Sequence, residues 1–304
     1  MHFERLGLAL RAVTMTIALV LGAGVGVSNS APVIPTMYFA CEKAKVISYF
    51  KTTPHGCPNR MTRVSGDLRG ANLANAQLRR IKIQGANLQD SNLSHADVSH
   101  ANLKAVFLKH ANLSHTHLLG VTFERAYLRF SIFTDANLTG ANLSGANMKR
   151  TNFVRADLWG ANLTEARATG ADFSNANLTG ATLVNTNLTD VTLTGVRSGG
   201  VIGRPILPAG WTVRAGYLMG PKAHLTGANL SNLVLRGVDI RGAKLDGANL
   251  EKVKFIGANL RGANLKNANL RGVIYDATSV CPNGKKFSRG GNCPTWLRSH
   301  KKTL

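Results

Sequence analysis

From Gly66 to Gly195 the chain places an apolar residue at every fifth position. Leu68, Leu73, Leu78, Ile83, Leu88 and Leu93 open the series, which runs on through Phe123, Phe133, Met148 and Phe153 to Leu193 with one lapse, Ala168. Two positions before each stands a small or β-branched residue, as at Ala71, Ala76, Ala86 and Val191. A polar residue, most often Asn, sits between the two. A helix advances about 100° per residue and turns positions five apart onto different faces. A straight strand alternates sides and throws an odd period to opposite faces. One geometry keeps every leucine on one side: a three-residue extended piece with its first and third side chains inward, then a two-residue corner. Repetition of that unit predicts an all-β solenoid with a dry axis of Leu, Phe and Ala.

The Ala-Asn-Leu-Ser/Thr-Gly units, such as Ala141-Asn142-Leu143-Ser144-Gly145, resemble the pentapeptide repeat family. The resemblance covers about two-thirds of the chain. It implies a right-handed, four-sided parallel β-helix with four pentapeptides per coil, and it says little about function. A second block at residues 223–275 repeats the pattern, with Leu225, Leu230, Leu235, Ile240, Phe255 and Tyr275 among its inward positions. Thirty-seven inward positions at four per coil predict about nine coils, roughly 44 Å of repeat.

The blocks are separated by residues 196–222, where the register shifts and Gly and Pro concentrate. Trp211-Thr212-Val213 and Tyr217-Leu218-Met219 read as a short hairpin around Arg214 to Gly216. The stretch Leu207 to Trp211, followed by Gly216 to Pro221, looks like an insert that recurs in exported bacterial pentapeptide repeat proteins. It is either a corner insertion in one rod or a hinge between two. Insertion is the reading taken, because Leu225 restarts the pattern at once.

Residues 1–30 read as a signal peptide. Arg5 and Arg11 precede an apolar run, Ala12 to Val27, that is short for a membrane span, and Ser28 and Ser30 suit cleavage before Ala31. An uncleaved anchor is the alternative. A lipidated Cys41 is disfavoured by Tyr38 and by its distance from the apolar run. The chain is therefore expected in the cell envelope or outside the cell. Residues 31–65 are expected to cap the N-terminal end of the solenoid, and residues 276–304 to form a basic C-terminal cap and tail. Four cysteines in an exported chain suggest two disulfides, Cys41–Cys57 and Cys281–Cys293, one at each end of a rod too long to join its ends. A zinc site is the alternative, but no CxxC pair is present. The tail resembles Cys-bracketed ends of other exported members, yet Lys285, Lys286 and Arg289 stand in its loop and argue against cation binding.

The net charge of +22 lies mostly outside the first block: residues 66–195 carry +3, and the flanks and second half carry the rest. A basic surface attracts anionic polymers and membranes in general. Some family members mimic DNA and bind topoisomerases. That mode needs an acidic surface, and this chain is basic. No nucleophile elbow, metalloprotease motif or phosphate loop is present, and a regular solenoid offers no deep pocket, so neither catalysis nor a cofactor is expected.

With the four-per-coil rule implied by the resemblance, residues twenty apart stack about 4.8 Å from each other. One column then holds Arg69, Gln89, Lys109, Arg129, Lys149 and Thr169, with His110 and Arg150 beside it. Another holds Asn75, His95, His115, Asp135, Arg155 and Asn175. Asp246 should face Lys266, Glu251 should face Arg271, and Arg241 should lie over Arg261. The like-charge stacks make Arg69, Lys109, Arg129, Lys149, Arg241 and Arg261 the candidate anion-binding residues. The histidines from His95 to His117 are expected to be solvated repeat positions, and the Asn columns to bond along cross-β-like ladders. Two function classes follow: a structural or protein-interaction scaffold, or a binder of anionic envelope polymer, lipid headgroups or nucleic acid. The first needs no steep salt dependence, whereas the second does.

Overall fold

The computed structural model describes residues 67–287 and Cys293. It is built from strand pieces, mostly one residue long, and turns; no helix occurs among the described residues. The signal peptide, the N-terminal cap, the Cys41–Cys57 pair and most of the tail lie outside these residues.

Each pentapeptide folds as its side chains dictate. In Ala71 to Asn75, Leu73 is buried, while Asn72 points outward and bridges to Asn92 in the next coil. The Ala76 N–H donates to the Leu73 carbonyl (3.1 Å), closing a turn whose third residue, Asn75, has φ 60°. Positive φ at that position belongs to the type II turn. The corner recurs every five residues, occupied by Gly, Asn, Asp, His or Arg in most rungs and by an aromatic at Phe130 (φ 59°).

Parallel bridges join residues twenty apart and form four ladders. Ladder 1 starts at Asp67 and ladder 2 at Asn72; ladders 3 and 4 start at Gln77 and Lys82. Rungs are tied in both directions: the Leu73 N–H donates to Asn92 O (2.6 Å) and the Asn92 N–H to Ala71 O (2.9 Å). The core is one apolar column per ladder plus the small residues between. Phe133, Phe153 and Phe173 stack in consecutive coils with ring centroids 5.0 and 4.9 Å apart. Ala168, the lapse in the pattern, is fully buried in the same core. Where Ser or Thr replaces Ala inward, its hydroxyl donates to a carbonyl, as Thr116 does to Leu93 (2.9 Å) and Thr186 to Leu163 (2.8 Å).

The Asn side chains work differently from the sequence expectation. Their Oδ1 mainly accepts the backbone N–H two residues on, as Asn92 does from Ser94 (3.1 Å) and Asn112 from Ser114 (3.0 Å). Asn-to-Asn bonds between rungs occur at Asn229–Asn249–Asn269. An amide placed just before the corner reaches that N–H without spanning a rung, so the local bond wins.

Between the blocks, β1 (Thr212–Arg214) pairs antiparallel with β2 (Tyr217–Met219), Thr212 opposite Met219. The turn is Ala215-Gly216, both at positive φ, which suits a two-residue hairpin. Ladder 3 passes directly from Arg197 to His224, and the His224 N–H donates to Val196 O (3.0 Å). Trp211 packs against the apolar cores of both blocks. Beyond it, β3 (Val234–Arg236), β4 (Lys254–Ile256) and β5 (Ile274–Tyr275) pair in parallel. Counting round the coil from His224 places them on the ladder 1 side.

At the C-terminal end the chain folds back. Val280 pairs antiparallel with Lys286, and Cys281 is bonded to Cys293. Phe287 stacks on Tyr275 (5.4 Å), which stacks on Phe255 (5.3 Å) and so extends the aromatic column. Burial pushes the Tyr275 hydroxyl up to about 12. Asp276 accepts from the Gly257 N–H (2.9 Å), the Ser279 hydroxyl (2.7 Å) and Thr278, and these bonds hold its carboxyl well below the usual range.

Candidate functional site

The corner that follows ladder 1 carries the stacked cations. The Asp90 N–H donates to Lys109 O (3.0 Å), the His110 N–H to Arg129 O (3.1 Å) and the Phe130 N–H to Lys149 O (3.2 Å). Lys109, Arg129 and Lys149 therefore occupy consecutive coils in register, all three exposed. No carboxylate lies within salt-bridge distance of any of them among the described residues; Asp90, on the same corner, lies 3.6 Å from His110.

Arg69 heads the same column but is already engaged. Its Nε and Nη2 donate to both carboxylate oxygens of Asp67 at 2.6–3.0 Å, and that bonding holds Asp67 below its ordinary pKa. Arg241 is held by Asp239 in the same way, at 2.7–3.0 Å. Both pairs come from an Asp-x-Arg spacing that sets a ladder residue beside its own corner. Arg241 does stack on Arg261, through the Gly242 N–H and Arg261 O (2.8 Å). That stack lies on the corner after ladder 2, reached from Gly195 through Lys222, and so is not an extension of the Lys109 column.

Other columns fall as the twenty-residue rule requires. His95 and His115 stack with centroids 4.8 Å apart and planes within 4°. Asp135 bonds Arg155 at 2.6 and 2.7 Å, with His115 Nε2 at 3.9 Å, and the Arg155 bond lowers the Asp135 pKa. Lys266 and Arg271 stack over the corners of Asp246 and Glu251, but no salt bridge forms in either pair; Asp246 instead accepts from Asn264 (2.6 Å). No cluster of three potential metal ligands occurs among the described residues.

An aromatic inlay on the basic corner escaped the sequence reading. Phe107 and Tyr127 stack on adjacent rungs of ladder 1, 4.6 Å apart with planes within 6°. Phe130, half-buried, lies under the guanidiniums of Arg129 (5.4 Å) and Arg150 (6.0 Å), with the His110 ring edge-on at 5.1 Å. Cation–π contacts of this kind hold an arginine fork in place. The available signal for Phe107 and Tyr127 was an aromatic pair at a position where the flanking rungs carry Asn87 and Asn147.

The pentapeptide repeats family model matches in eight copies, across residues 67–195 and 222–272 in overlapping segments. Among solved structures, HetL, a pentapeptide repeat protein involved in heterocyst differentiation regulation from the cyanobacterium Nostoc sp. strain PCC 7120, is similar at 29% identity. It covers 75% of this chain and 90% of its own, with a TM-score of 0.30. QnrB1, a plasmid-mediated fluoroquinolone resistance protein, is similar at 18% identity over 70% of this chain and 91% of its own, with a TM-score of 0.24. Rfr23 from the cyanobacterium Cyanothece 51142 is 32% identical over 34% of this chain and 65% of its own, with a TM-score of 0.16. No curated protein matches the chain. With the family's repeats running through more than half of its length, the chain belongs to the pentapeptide repeat family.

Proposed function

We propose that this chain is a non-catalytic, exported scaffold, a right-handed closed β-helix whose surface columns present partners with a fixed array. The N-terminal basic and apolar pattern supports export. Residues 196–222 are an insertion in one rod, a reading supported by the Arg197–His224 bridge. The partner is a protein or an envelope component that meets the basic corner. One observation carries this reading and favours an anionic partner: Lys109, Arg129 and Lys149 stand on consecutive coils with no carboxylate partner among the described residues. Like charges directly opposite destabilise a pair of strands, and a bound polyanion removes that cost.

The test is binding to immobilised dextran sulfate across a salt series. Replacing Lys109, Arg129 and Lys149 together with Gln should weaken binding and reduce the salt slope by up to about three units. Thermal unfolding of the triple variant should be unchanged or slightly higher. Unchanged binding and slope would overturn the assignment of the contact to this corner.

A further inference from the structure

Nine large apolar side chains are exposed among the described residues, and five of them, Phe107, Tyr127, Ile206, Val234 and Ile274, lie on the ladder 1 side. With four sides available, that concentration is not the scatter expected of single surface hydrophobics. Ile206, Val234 and Ile274 are 57, 50 and 52% exposed, on short strand pieces where the repeat ordinarily sets Asn or another polar residue. The five residues form two footholds, one at Phe107 and Tyr127 and one from Ile206 to Ile274, spread over about 40 Å at the ladder spacing. Ile132 stands across the corner on ladder 2, 40% exposed. The Lys109–Arg129–Lys149 column runs along the edge between Tyr127 and Ile132. One side of the rod is thus apolar and aromatic in patches and edged with cations that have no carboxylate partner among the described residues.

We infer that the ladder 1 side is a docking surface for an anionic lipid bilayer, on which the rod lies lengthwise. The charge part rests on the reading of the basic corner above; the apolar part is independent of it. Cations near an anionic leaflet and aromatic or aliphatic side chains at headgroup depth are the two components of peripheral membrane binding. The other occupants fit less. A second copy of this chain carries the same positive charge and meets repulsion. Single-stranded nucleic acid needs bare ring faces for its bases, but Phe107 and Tyr127 cover one another and Phe130 lies beneath two arginines. A soluble acidic polymer leaves Ile206, Val234 and Ile274 without a role.

Flotation of the full chain with phosphatidylcholine vesicles, with or without phosphatidylglycerol, tests the inference. Residues 1–66 are constant in every variant, so differences report on the solenoid. Wild type should bind far better when phosphatidylglycerol is present, and less at high salt. At about fivefold per cation near an anionic surface, the Lys109→Gln, Arg129→Gln, Lys149→Gln variant should lose roughly a hundredfold in partition. The variant Phe107→Ser, Tyr127→Ser, Ile206→Ser, Val234→Ser should also lose vesicle binding while keeping its binding to dextran sulfate and its circular dichroism. Leu119→Ser with Trp159→Ser, on the opposite corner, should bind vesicles as wild type. Binding indifferent to phosphatidylglycerol, or an apolar variant that partitions as wild type, overturns the inference. In the second case, a loss confined to the Gln variant would leave the basic corner as a contact for soluble polyanions.

Discussion

Replacing Phe153 with Ala should open the solenoid near its middle. Phe153 is fully buried between Phe133 and Phe173, with centroids 5.0 and 4.9 Å away and planes inclined by 17° and 11°. Phe→Ala in a core costs about 3–5 kcal/mol, and the cost depends on how far the site collapses. Collapse is restricted here, because both neighbouring rungs are tied by backbone bonds: Phe133 N–H to Asn152 O and Phe153 N–H to Asp172 O, each 2.7 Å. The change also removes two ring stacks, each worth about 0.5–1.5 kcal/mol beyond area. The expected loss is therefore at the top of the range, about 5 kcal/mol. Each coil touches only its neighbours, so the damage should remain local. Urea titration with residue-resolved hydrogen exchange measures this. Protection should collapse first around Phe133, Leu158 and Phe173 while Leu245 and Leu250 keep theirs. Phe153→Leu, an inward residue the repeat already uses, should cost only about 1–2 kcal/mol. A loss below about 2 kcal/mol for Phe153→Ala, or an even loss of protection along the rod, would refute the reasoning.

Three further changes probe the insertion and the C-terminal end. A Cβ on Gly220 would sit 2.1 Å from the Trp211 ring, so Gly220→Ala should cost about 3 kcal/mol in chemical denaturation and loosen the packing between the blocks. Burial first, then the charges of Arg197 and Lys244 on the same ladder, hold the His224 pKa below 6.5. The unfolded chain then takes up the proton first: this contribution to stability is full above 6.5 and is lost as pH falls through it toward the folded value. His224→Gln should flatten that part of a urea-midpoint series taken from neutral to mildly acidic pH. Cys281→Ser removes the loop closed with Cys293 and should cost roughly 3 kcal/mol, seen as lost exchange protection near Phe287 with the first block unaffected.

The period of five carried the fold because burial obeys it strictly: Ala141 and Leu143 are both at 0% exposure while Asn142 between them bridges outward. Once residues twenty apart are adjacent, His95 over His115 and Asp135 over Arg155 follow from counting. Counting fails where a side chain has a choice of partners. Arg69 takes Asp67 two residues away, and Asp246 takes Asn264 rather than Lys266, because a side chain reaches across a corner as easily as up a rung. The hairpin was legible from Trp211 to Met219, and its Ala215-Gly216 turn follows from the need for positive φ. The aromatic inlay was visible only as exceptions to a polar position, and its stacking on Arg129 and Arg150 depends on rotamers that no period encodes.

The step from Arg197 to His224 spans twenty-seven residues, whereas the steps on either side of it on the same ladder span twenty. The surplus of seven residues is taken up between Ile206 and Lys222, in the segment that carries the hairpin, and the ladder resumes in phase. In genetic terms the rod has one tolerant reading window. A length change between Ile206 and Pro221 that spares Trp211, Leu218 and Met219, which pack into the two cores, leaves the ladders on either side in phase. Within the repeats between Phe107 and Ile274, a change keeps the register only in units of twenty; any other length turns the downstream faces against the upstream ones, so that the apolar footholds no longer share a side.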